Sequence, residues 1–495
     1  MRNLNKVNVM SLHELESRIR AELKILDFPK RPWVRQQEGS RAVFDVAIVG
    51  GGQSGLAAAV GLMREKVMNI IVLDRAPQGQ EGVWPNFARM TTLRTHKQAS
   101  ALDFGMPSLT PQAWYTAQYG EEAWEALLKI SKDDWHRYLQ WYRRLFDLPV
   151  RNGEGVLRIT PRDRLLGLEL ECGERLLARK VILATGLDGG GRWYVPSIAS
   201  GLLKHTYGHT EEFINFEALE GKRVGVLGGG ASAFDNAATA LEHGASAVDL
   251  CIRLPQLPRV NPNKWLEFPG FLGHYNDLDD AMRWRFMRQI GQMNQPPPQE
   301  TLWRCTAHNN FTLRTGTQWN AASVSEAGIN VCTPGGTLQF DYLIFGTGIV
   351  NDLKSRTELA SIVSQIALWS DRYTPPVGEE DDSLALAPYL GHGFQFLEKI
   401  PGSAPWLKNI HCFNFGATTS QGLSAASISG TKYGVRRLIY AVTRDLFLED
   451  ADWHLGELSR YSDLEITTYR PGLPMSEWEK QTAKPPNLQI PSNTF

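Results

Sequence analysis

Two glycine-rich turns hold the residues whose type and spacing predict chemistry, and the first of them is VGGGQSG. Its Gly50, Gly52 and Gly55 match a fingerprint in which glycines allow a tight turn, a close backbone approach to pyrophosphate and close helix packing. The helix that follows directs its N-terminus at the bound anion. Asp74 ends the next apolar segment, where its carboxylate can accept hydrogen bonds from both ribose hydroxyls. The sequence therefore predicts a dinucleotide site, without distinguishing FAD from NAD.

The second turn, LGGGASA, repeats this pattern with one change. Gly228 and Gly230 repeat the first two glycines, and Ala233 replaces the third, which moves the helix slightly outward. Arg253 is expected at the end of the second strand, in the place that Asp74 takes in the first unit. Because a guanidinium binds phosphate through paired hydrogen bonds, this arginine favours NADPH over NADH.

Two other interpretations of the second unit stay open. Arg253 could be an ordinary surface arginine at a strand end, and Arg259 could bind the ribose 2′-phosphate instead. Ser232, at the start of the following helix, is expected to contribute to the same nucleotide site. The second turn therefore predicts a nicotinamide site whose phosphate contact has two candidates.

Apolar segments of strand length flank both turns and set the fold class. Each turn lies between a strand and a helix, and another strand follows the helix, which is the βαβ order of a parallel sheet. We therefore predict an α/β protein with two Rossmann-like dinucleotide-binding domains. The predicted strands are 44–49, 69–73, 181–184, 223–227, 247–253, 342–345 and 409–413.

Helical patterns lie before and between these strands. Ser11 and Glu14 form a capping box ahead of an apolar rhythm, so residues 1–40 contain a helix that is either an accessory packed on the first domain or an oligomer arm. Residues 111–148 are helical and rich in Trp and Tyr, a spacing that favours core over pocket. Residues 255–299 are predicted to form an excursion of loops and helices.

Composition excludes several classes of protein. The 495 residues are 42% hydrophobic and 21% charged with a net charge of -1, so the chain lacks the basic field that nucleic acid binding needs. The N-terminal segment lacks the apolar core of a secretory signal, and no run reaches membrane-spanning length. We expect a cytoplasmic protein without a membrane partner, and a homo-oligomer stays open. The five cysteines stand singly, without CxxC pairs or metal-ligand spacing, so no metal is expected.

The motifs together resemble those of the class B flavin-dependent monooxygenases, from about residue 44 to about residue 440. That family includes flavin-containing monooxygenases, Baeyer-Villiger monooxygenases and amine N-hydroxylases. The matching segments are VGGGQSG with LDR at 73–75, EGVWPN at 81–86, LATG at 183–186, GKRVGVLGGGASAFDNA at 221–237, FGTG at 345–348 and IHCFNFG at 410–416.

The resemblance implies that the first unit holds FAD and the second holds NADPH. The NADPH-binding domain would be inserted into the FAD-binding domain. The implied divisions are an N-terminal accessory helix at 1–40, a first FAD-binding part at 41–190, an NADPH-binding domain at 191–350, and a second FAD-binding part with the C-terminal region at 351–495.

Individual positions follow from the same resemblance. Val156 would contact adenine through its backbone, and Gly416 would lie near the flavin pyrophosphate and ring. Further positions are expected to touch a cofactor, either in the LDR and EGVWPN motifs or at the crossovers between the domains. They are Arg75, Trp84, Thr185, Gly186, Thr347 and Gly348.

One segment departs from the family pattern in a way that bears on chemistry. In MTTLRTHK, Arg94 takes the place where flavin-containing monooxygenases carry an asparagine beside the flavin. A permanent cation there would stabilise an anionic peroxide or bind a substrate carboxylate; alternatively, it contacts the FAD phosphate or a carbonyl. Arg94 is our candidate catalytic residue.

The fingerprint FxGxxxH is met only in part. Gly201 and His205 keep their spacing, but Ala199 replaces the aromatic residue. His209 stands where a tryptophan is expected, which disfavours Baeyer-Villiger chemistry.

The implied chemistry is reduction of FAD by NADPH, capture of O2 at the flavin C4a position, and oxygenation of a small organic substrate at nitrogen, sulfur or a carbonyl carbon. One alternative keeps both cofactors but ends in hydride transfer, as in a reductase or dehydrogenase. Its disulfide-reducing version would need a paired dithiol, which the sequence lacks. A third hypothesis is a non-catalytic flavoprotein that senses nucleotides.

Overall fold

Two parallel sheets, one behind each glycine turn, form the framework of the protein. The computed structural model describes residues 10–26, 31–35, 43–425 and 427–482. The strands are β1 Val43–Val49, β2 Ile70–Asp74, β3 Val150–Asn152, β4 Val156–Arg162, β5 Leu165–Leu170, β6 Arg175–Leu183, β7 Gly191–Trp193, β8 Tyr207–His209, β9 Arg223–Leu227, β10 Ala247–Cys251, β11 Phe311–Arg314, β12 Ala321–Ser325, β13 Gly328–Thr333, β14 Gly336–Phe340, β15 Tyr342–Phe345, β16 Ile349–Asn351, β17 Ile410–Cys412, β18 Thr468–Arg470 and β19 Leu473–Pro474.

Helices connect these strands and cover the sheets. The helix after each glycine turn begins directly at the turn, as a Rossmann unit requires. The helices are α1 Leu12–Ile25, α2 Gln53–Arg64, α3 Pro111–Tyr119, α4 Glu121–Ala126, α5 Lys132–Leu145, α6 Ala231–Glu242, α7 Pro262–Trp265, α8 Pro269–His274, α9 Asp280–Met293, α10 Gln299–Thr306, α11 Asp382–Ala385, α12 Thr418–Gln421, α13 Ile428–Glu449, α14 Ala451–Arg460 and α15 Met475–Thr482.

The first sheet has the order β3-β2-β1-β6-β5-β4, and β17 pairs with the C-terminal half of β6. Its strands β3, β2, β1, β6 and β17 run parallel, whereas β5 and β4 continue as an antiparallel extension. All five residues of β2 are buried, as expected for a parallel strand covered on both faces. The strands predicted at 44–49, 69–73, 181–184 and 409–413 are confirmed here.

The second sheet has the order β11-β10-β9-β15-β8, and all of its strands are parallel. The predictions at 223–227 and 342–345 are confirmed. The strand predicted at 247–253 ends two residues early, at Cys251, because its neighbour β9 ends at Leu227 and the glycine turn begins there. The Gly228 N–H makes the last hydrogen bond of this pairing, to the Cys251 carbonyl. A small antiparallel sheet, β12-β13-β14, packs beside this unit.

The chain leaves the first sheet after β6, builds the second sheet from β8 to β15, and returns to the first sheet through β17. The outgoing and returning segments pair with each other, since β7 and β16 form an antiparallel two-stranded ribbon. The second Rossmann unit is thus inserted between two strands of the first sheet, as predicted.

The predicted N-terminal helix is α1, and its Ser11–Glu14 capping box is present. Leu15 and Ile19 are its buried residues. Trp141 donates a hydrogen bond of 3.1 Å to a Glu16 side-chain oxygen, which ties α1 to α5. These contacts are those of an accessory helix packed on the first domain.

The aromatic residues predicted at 111–148 are mostly core, as their helical spacing indicated. The indole N–H of Trp135 donates to the side-chain oxygen of Gln53 at 3.1 Å, so this layer supports the first turn of α2. The fully or almost fully buried members of the layer are Trp114, Trp124, Trp135, Tyr138, Trp141 and Tyr142.

The chain divides into two units, Met1–Asp445 and Leu446–Phe495. The first unit holds both parallel sheets and every predicted site residue. The described part of the second holds the end of α13, then α14, the β18–β19 ribbon and α15. No helix among the described residues is both long and apolar enough to cross a membrane.

Candidate functional site

The first glycine turn packs so closely that side chains are excluded at two of its positions. Gly50 has a φ of +108°, and a Cβ on it would lie 2.3 Å from the Ala184 carbonyl oxygen. A Cβ on Gly55 would lie 1.8 Å from the Gly50 carbonyl oxygen. Gly52 caps α2, and a Cβ there would approach Gly82 Cα at 3.5 Å. The turn therefore needs glycines for its own packing as well as for a ligand's approach.

Asp74 ends β2, as predicted, and its carboxylate holds the glycine turn. It accepts hydrogen bonds from the backbone N–H of Gly51 at 2.6 Å and of Ala76 at 2.8 Å. Burial is the largest influence on this carboxyl group and raises its pKa. Each oxygen keeps a further lone pair, so the carboxylate can still accept from ribose hydroxyls. Arg75, predicted beside it, is exposed.

A loop crosses the first glycine turn, and a buried carboxylate anchors it. Glu81 pairs with Arg143 and accepts a hydrogen bond of 2.7 Å from the Asn152 side chain. The anchor places Gly82 directly over the turn. Trp84, predicted to touch the cofactor, is half-buried in the same loop. Sequence reasoning missed Glu81, although its place within the EGVWPN motif offered a signal.

Val156 opens β4 beside the end of β2. Two backbone hydrogen bonds place this segment, from Gly153 N–H to the Ala76 carbonyl at 3.1 Å and from Glu154 N–H to the Asp74 carbonyl at 2.9 Å. Val156 therefore follows a segment that is bonded to the end of β2, and its adenine contact stays a prediction.

Three predicted residues meet at the carboxyl ends of β6 and β17. The Asn414 side-chain amide donates to Thr185 Oγ1 at 3.1 Å, and its oxygen accepts from the Gly416 N–H at 2.9 Å. A Cβ on Gly416 would lie 2.6 Å from Gly190 Cα, so two chain segments touch here through glycines. No described atom lies within 4 Å of a Cβ built on Gly186, which leaves open space beside the turn. Asn414 was missed by the sequence analysis.

The second glycine turn repeats this architecture. Gly228 has a φ of +145°, and a Cβ on it would lie 2.2 Å from the Gly346 carbonyl oxygen, the counterpart of the Gly50–Ala184 contact. A Cβ on Gly346 would in turn lie 2.5 Å from the Ala233 Cβ. Gly230 caps α6, and no described atom lies within 4 Å of a Cβ built on it. The space over the helix N-terminus fits a pyrophosphate.

The crossover back to the first domain lies next to this turn. Thr347 donates a side-chain hydrogen bond to the Tyr194 carbonyl, and the Gly348 carbonyl accepts from the Tyr194 N–H at 2.9 Å. A Cβ built on Gly348 also meets no described atom within 4 Å. Gly348 therefore borders open space, as Gly186 does in the first unit.

The sheet register corrects the position predicted for Arg253. Gly50 N–H bonds to the Leu73 carbonyl, and Gly228 N–H bonds to the Cys251 carbonyl, so the residue equivalent to Asp74 is Ile252. A Cβ on Gly229 would contact Ile252 at 3.4 Å, just as a Cβ on Gly51 would contact Asp74 at 3.3 Å. Arg253 is one residue further on and matches Arg75. The second unit therefore has an apolar side chain in place of the acid that we predict to bind ribose, and a cation follows it.

Both candidate phosphate-binding arginines are exposed. Within the described parts of the chain, neither Arg253 nor Arg259 makes an ion pair or a side-chain hydrogen bond, so each can bind an anion. Ser232 lies in the first turn of α6 and lines a small cavity together with Arg94 and Glu211.

Arg94 contacts the second Rossmann unit. Its guanidinium donates to the Asp235 carboxylate of α6 at 3.0 Å. Asp235 is buried and also accepts from Thr301 Oγ1 at 3.0 Å and from Arg304 at 3.5 Å. Arg94 therefore links the two nucleotide units through a carboxylate, a partner that the sequence analysis did not anticipate. Its catalytic role stays a prediction.

Arg94 lines a cavity of about 70 Å³ between the two nucleotide-binding units. Glu211, which follows β8, enters this cavity, and one of its carboxylate oxygens is buried without a hydrogen-bond partner. Burial raises the pKa of Glu211 to about 8, against the influence of Arg94 and Arg89. Glu211 carries no motif signal, because its neighbours in space are distant in sequence.

The histidine of the partial fingerprint, His205, and the nearby His209 lie in different elements. His209 is buried, and burial lowers its pKa to about 4. His205 lies before β8, in the short 3-10 turn Lys204–Thr206. Among the residues that the structure describes, no group of three or more His, Cys, Asp or Glu side chains is arranged to hold a metal ion.

Each parallel sheet carries a glycine-rich turn at the carboxyl ends of its strands, where dinucleotides bind, and the second sheet is inserted into the first. This arrangement defines a flavoprotein with a second dinucleotide site. Residues 47–268 match the family model of the pyridine nucleotide-disulphide oxidoreductases. The chain is 45% identical over 446 residues to a FAD-dependent urate hydroxylase from Xanthomonas campestris, which covers 89% of this chain and 94% of that protein. The chain belongs to the same family, the FAD-dependent monooxygenases, and is an oxidoreductase.

Solved structures agree on the fold. The ornithine hydroxylase from Pseudomonas aeruginosa aligns with a TM-score of 0.63 and 17% identity, over 82% of this chain and 100% of that one. The L-lysine 6-monooxygenase from Pseudomonas syringae aligns with a TM-score of 0.63 and 18% identity, over 81% of this chain and 99% of that one. The fold predicted from the class B resemblance is thereby confirmed.

Proposed function

We propose that this protein is an NADPH-dependent FAD monooxygenase that hydroxylates urate or a closely related oxidised purine. The observation that carries the proposal is the 45% identity, over 446 residues, with a FAD-dependent urate hydroxylase. The sequence alone predicted only a small organic substrate that is oxygenated at nitrogen, sulfur or a carbonyl carbon. Urate is a narrower proposal than that class.

FAD fits the first site. The pyrophosphate would lie over Gly52 at the N-terminus of α2, and the ribose would lie beside Asp74. Val156 would face the adenine, and Gly416 would lie toward the ring. When bound, FAD supplies the electron transfer and oxygen activation that amino acid side chains cannot.

NADPH fits the second site. Its pyrophosphate would lie over Gly230 and Ser232 at the N-terminus of α6, where a Cβ on Gly230 would meet no described atom within 4 Å. Its 2′-phosphate would be bound by Arg253. Ile252 supports this assignment, since an acid in its place would repel a phosphate.

Urate has no C–H bond, so the added oxygen bonds to a carbon of its ring C=C bond, the π bond shifts to C=N, and a ring N–H loses its proton. Urate, O2, NADPH and one proton then give hydroxylated urate, NADP⁺ and water. The protein's part is to bind, orient and exclude bulk water. Val83, Phe87 and Leu187 supply apolar walls at the cavity between the units, and Arg94 supplies a fixed positive charge.

The test is stoichiometric. FAD-loaded protein is mixed with urate and NADPH, and the consumption of urate, NADPH and O2 is followed together. The proposal predicts equal consumption of all three, with little hydrogen peroxide. A rate of NADPH consumption that does not change when urate is added would contradict the proposed function.

The match to the pyridine nucleotide-disulphide oxidoreductase model favours a second candidate, a reductase with the same cofactors. Three of the five cysteines are buried, and all five are free within the structure. Reduction of an organic acceptor at an undiminished rate under anaerobic conditions would favour this candidate over the monooxygenase.

A further inference from the structure

The cavity between the two nucleotide units is charged on one side and apolar on the other. Its charged or amide side chains come from three separate chain segments, whereas its apolar wall comes mainly from the loop after β2. Its lining is Val83, Phe87, Ala88, Arg89, Met90, Arg94, Leu187, Glu211, Ser232, Asp235 and Asn236.

Several polar atoms at this cavity lack partners. Arg94 Nε, Glu211 Oε2 and Asn236 Oδ1 are all buried without a hydrogen bond within the described structure. An unpaired buried polar group is costly, so such atoms occur together mainly where a ligand or ordered water completes them. Arg94 Nε can donate a hydrogen bond to a ligand, Asn236 Oδ1 can accept one, and the Glu211 carboxyl group can accept one or, when protonated, donate one.

The charges around Glu211 decide what kind of ligand fits. Arg89 and Arg94 act on it as positive charges, and Asp188 acts as a negative one. Asp188 is paired with Arg356 at 2.9 Å, which reduces its influence.

Asp235 and Arg304 also face this region, from α6 and α10. Asp235 is held by Arg94 at 3.0 Å and by Arg304 at 3.5 Å, so its charge is compensated. Arg304 is also paired with Glu242 at 2.8 Å, so Arg94 compensates Asp235 and Arg89 is left as the excess positive charge at the cavity.

We propose that this cavity recognises the organic substrate as a small anionic heterocycle, with Arg89 supplying the opposite charge and with Arg94 Nε and the Glu211 carboxyl donating hydrogen bonds to its ring oxygens. The inference rests on the proposed function, because urate is a singly charged anion at neutral pH with alternating N–H and carbonyl groups. The unpartnered Asn236 oxygen would accept from a ring N–H.

The position of Glu211 supports this role. It follows β8 at the carboxyl edge of the second sheet, where ligands of open α/β sheets bind. Arg89 and Arg94 lie on the loop that begins over the first glycine turn. The cavity therefore lies between the segments expected to carry the two cofactors.

Proton occupancy of Glu211 should control binding. Since its pKa lies at about 8, the carboxyl is protonated at pH 7 and largely ionised at pH 9. If only the protonated form accepts an anion, the apparent Kd rises about tenfold between these pH values.

The test is calorimetric titration of FAD-loaded protein with urate, without NADPH, at pH 7, 8 and 9. Wild-type protein should bind urate about tenfold more weakly at pH 9 than at pH 7. Glu211→Gln should bind with an affinity that no longer changes over this range. Glu212→Gln, whose side chain pairs with Lys204, is the matched control and should keep the wild-type pH dependence.

Two further arms keep the test decisive if Glu211→Gln is unstable. Arg89→Gln should weaken urate binding about tenfold at pH 7, as expected for loss of a charge-assisted hydrogen bond. Tetramethylurate, which has no ionisable N–H, should bind to the wild-type protein at least as weakly as urate binds to Arg89→Gln. A wild-type pH dependence in Glu211→Gln, or equal binding of the two ligands, overturns the inference.

The outcomes also separate this inference from the proposed function. If urate fails to bind but another compound is oxygenated with NADPH, the site assignment is wrong and the monooxygenase function stands. If urate binds with the expected pH dependence but no oxygenated product forms, the site stands and the proposed function is wrong.

Discussion

At the scale of single residues, one position makes the two nucleotide sites chemically different. Asp74 in the first unit and Ile252 in the second occupy equivalent places beside their glycine turns. A carboxylate there suits two free ribose hydroxyls, whereas an apolar residue followed by Arg253 suits a ribose that carries a phosphate. We therefore expect the choice of cofactor to depend on these two adjacent side chains.

Arg253→Ala is expected to lower kcat/KM for NADPH about tenfold and to leave kcat/KM for NADH nearly unchanged, because one charge-assisted phosphate contact is lost. Arg259→Ala is the matched control, since Arg259 is the other exposed arginine on this segment. Steady-state kinetics with both nucleotides measure the ratio. If Arg259→Ala alone erodes the preference for NADPH, the assignment to Arg253 is wrong.

Glu211 is expected to make stability depend on pH. Its pKa is raised from 4.5 to about 8 in the folded protein, so the unfolded chain loses this proton first and stability falls as pH rises across that interval. Glu211→Gln removes this contribution, so its thermal midpoint should rise relative to wild type between pH 6 and pH 8.5.

The measurement is differential scanning calorimetry of the FAD-loaded protein in the absence of substrate. Glu212→Gln serves as the control, because the pKa of Glu212 is lowered and that group does not titrate in this range. A difference between Glu211→Gln and wild type that stays constant with pH would contradict the predicted titration.

At the scale of elements, both glycine turns pack in the same way. Glycines that contact backbone in this packing are structural, whereas glycines that face open space are those expected to contact a ligand. Gly55 packs against the backbone of its own turn, so Gly55→Ala should abolish retention of FAD through purification. Gly230 faces open space, so Gly230→Ala should fold and keep FAD but bind NADPH at least tenfold more weakly. Flavin absorbance and NADPH titration measure the two effects. Loss of FAD from Gly230→Ala would contradict the division of roles.

The elements were predictable where local pattern sets them. The central strands are apolar runs beside glycine turns, so β1, β9 and β15 follow directly from the sequence. The end of β10 was wrong because Ile252 continues the apolar run past the last ladder residue. The loop contacts of Glu81 and the Arg94–Asp235 pair were not predictable, since they join segments that only tertiary folding brings together.

At the scale of the whole molecule, insertion of the second Rossmann unit brings two carboxyl edges close to one cavity. The β7–β16 ribbon joins the outgoing and returning segments, and Arg94 bridges to α6. The domain divisions at 190 and 350 stay a proposal, although both fall close to this ribbon. The proposed substrate site could not be predicted from sequence, because Arg89, Glu211 and Asn236 become neighbours only through the insertion.

The most direct test of the central claim is product analysis under ¹⁸O₂ with FAD-loaded protein, NADPH and urate. The account predicts that each turnover places one labelled oxygen atom in hydroxylated urate and the other in water, with one NADPH oxidised. Full oxidation of NADPH with the label found only in hydrogen peroxide and water, and no labelled organic product, would contradict it.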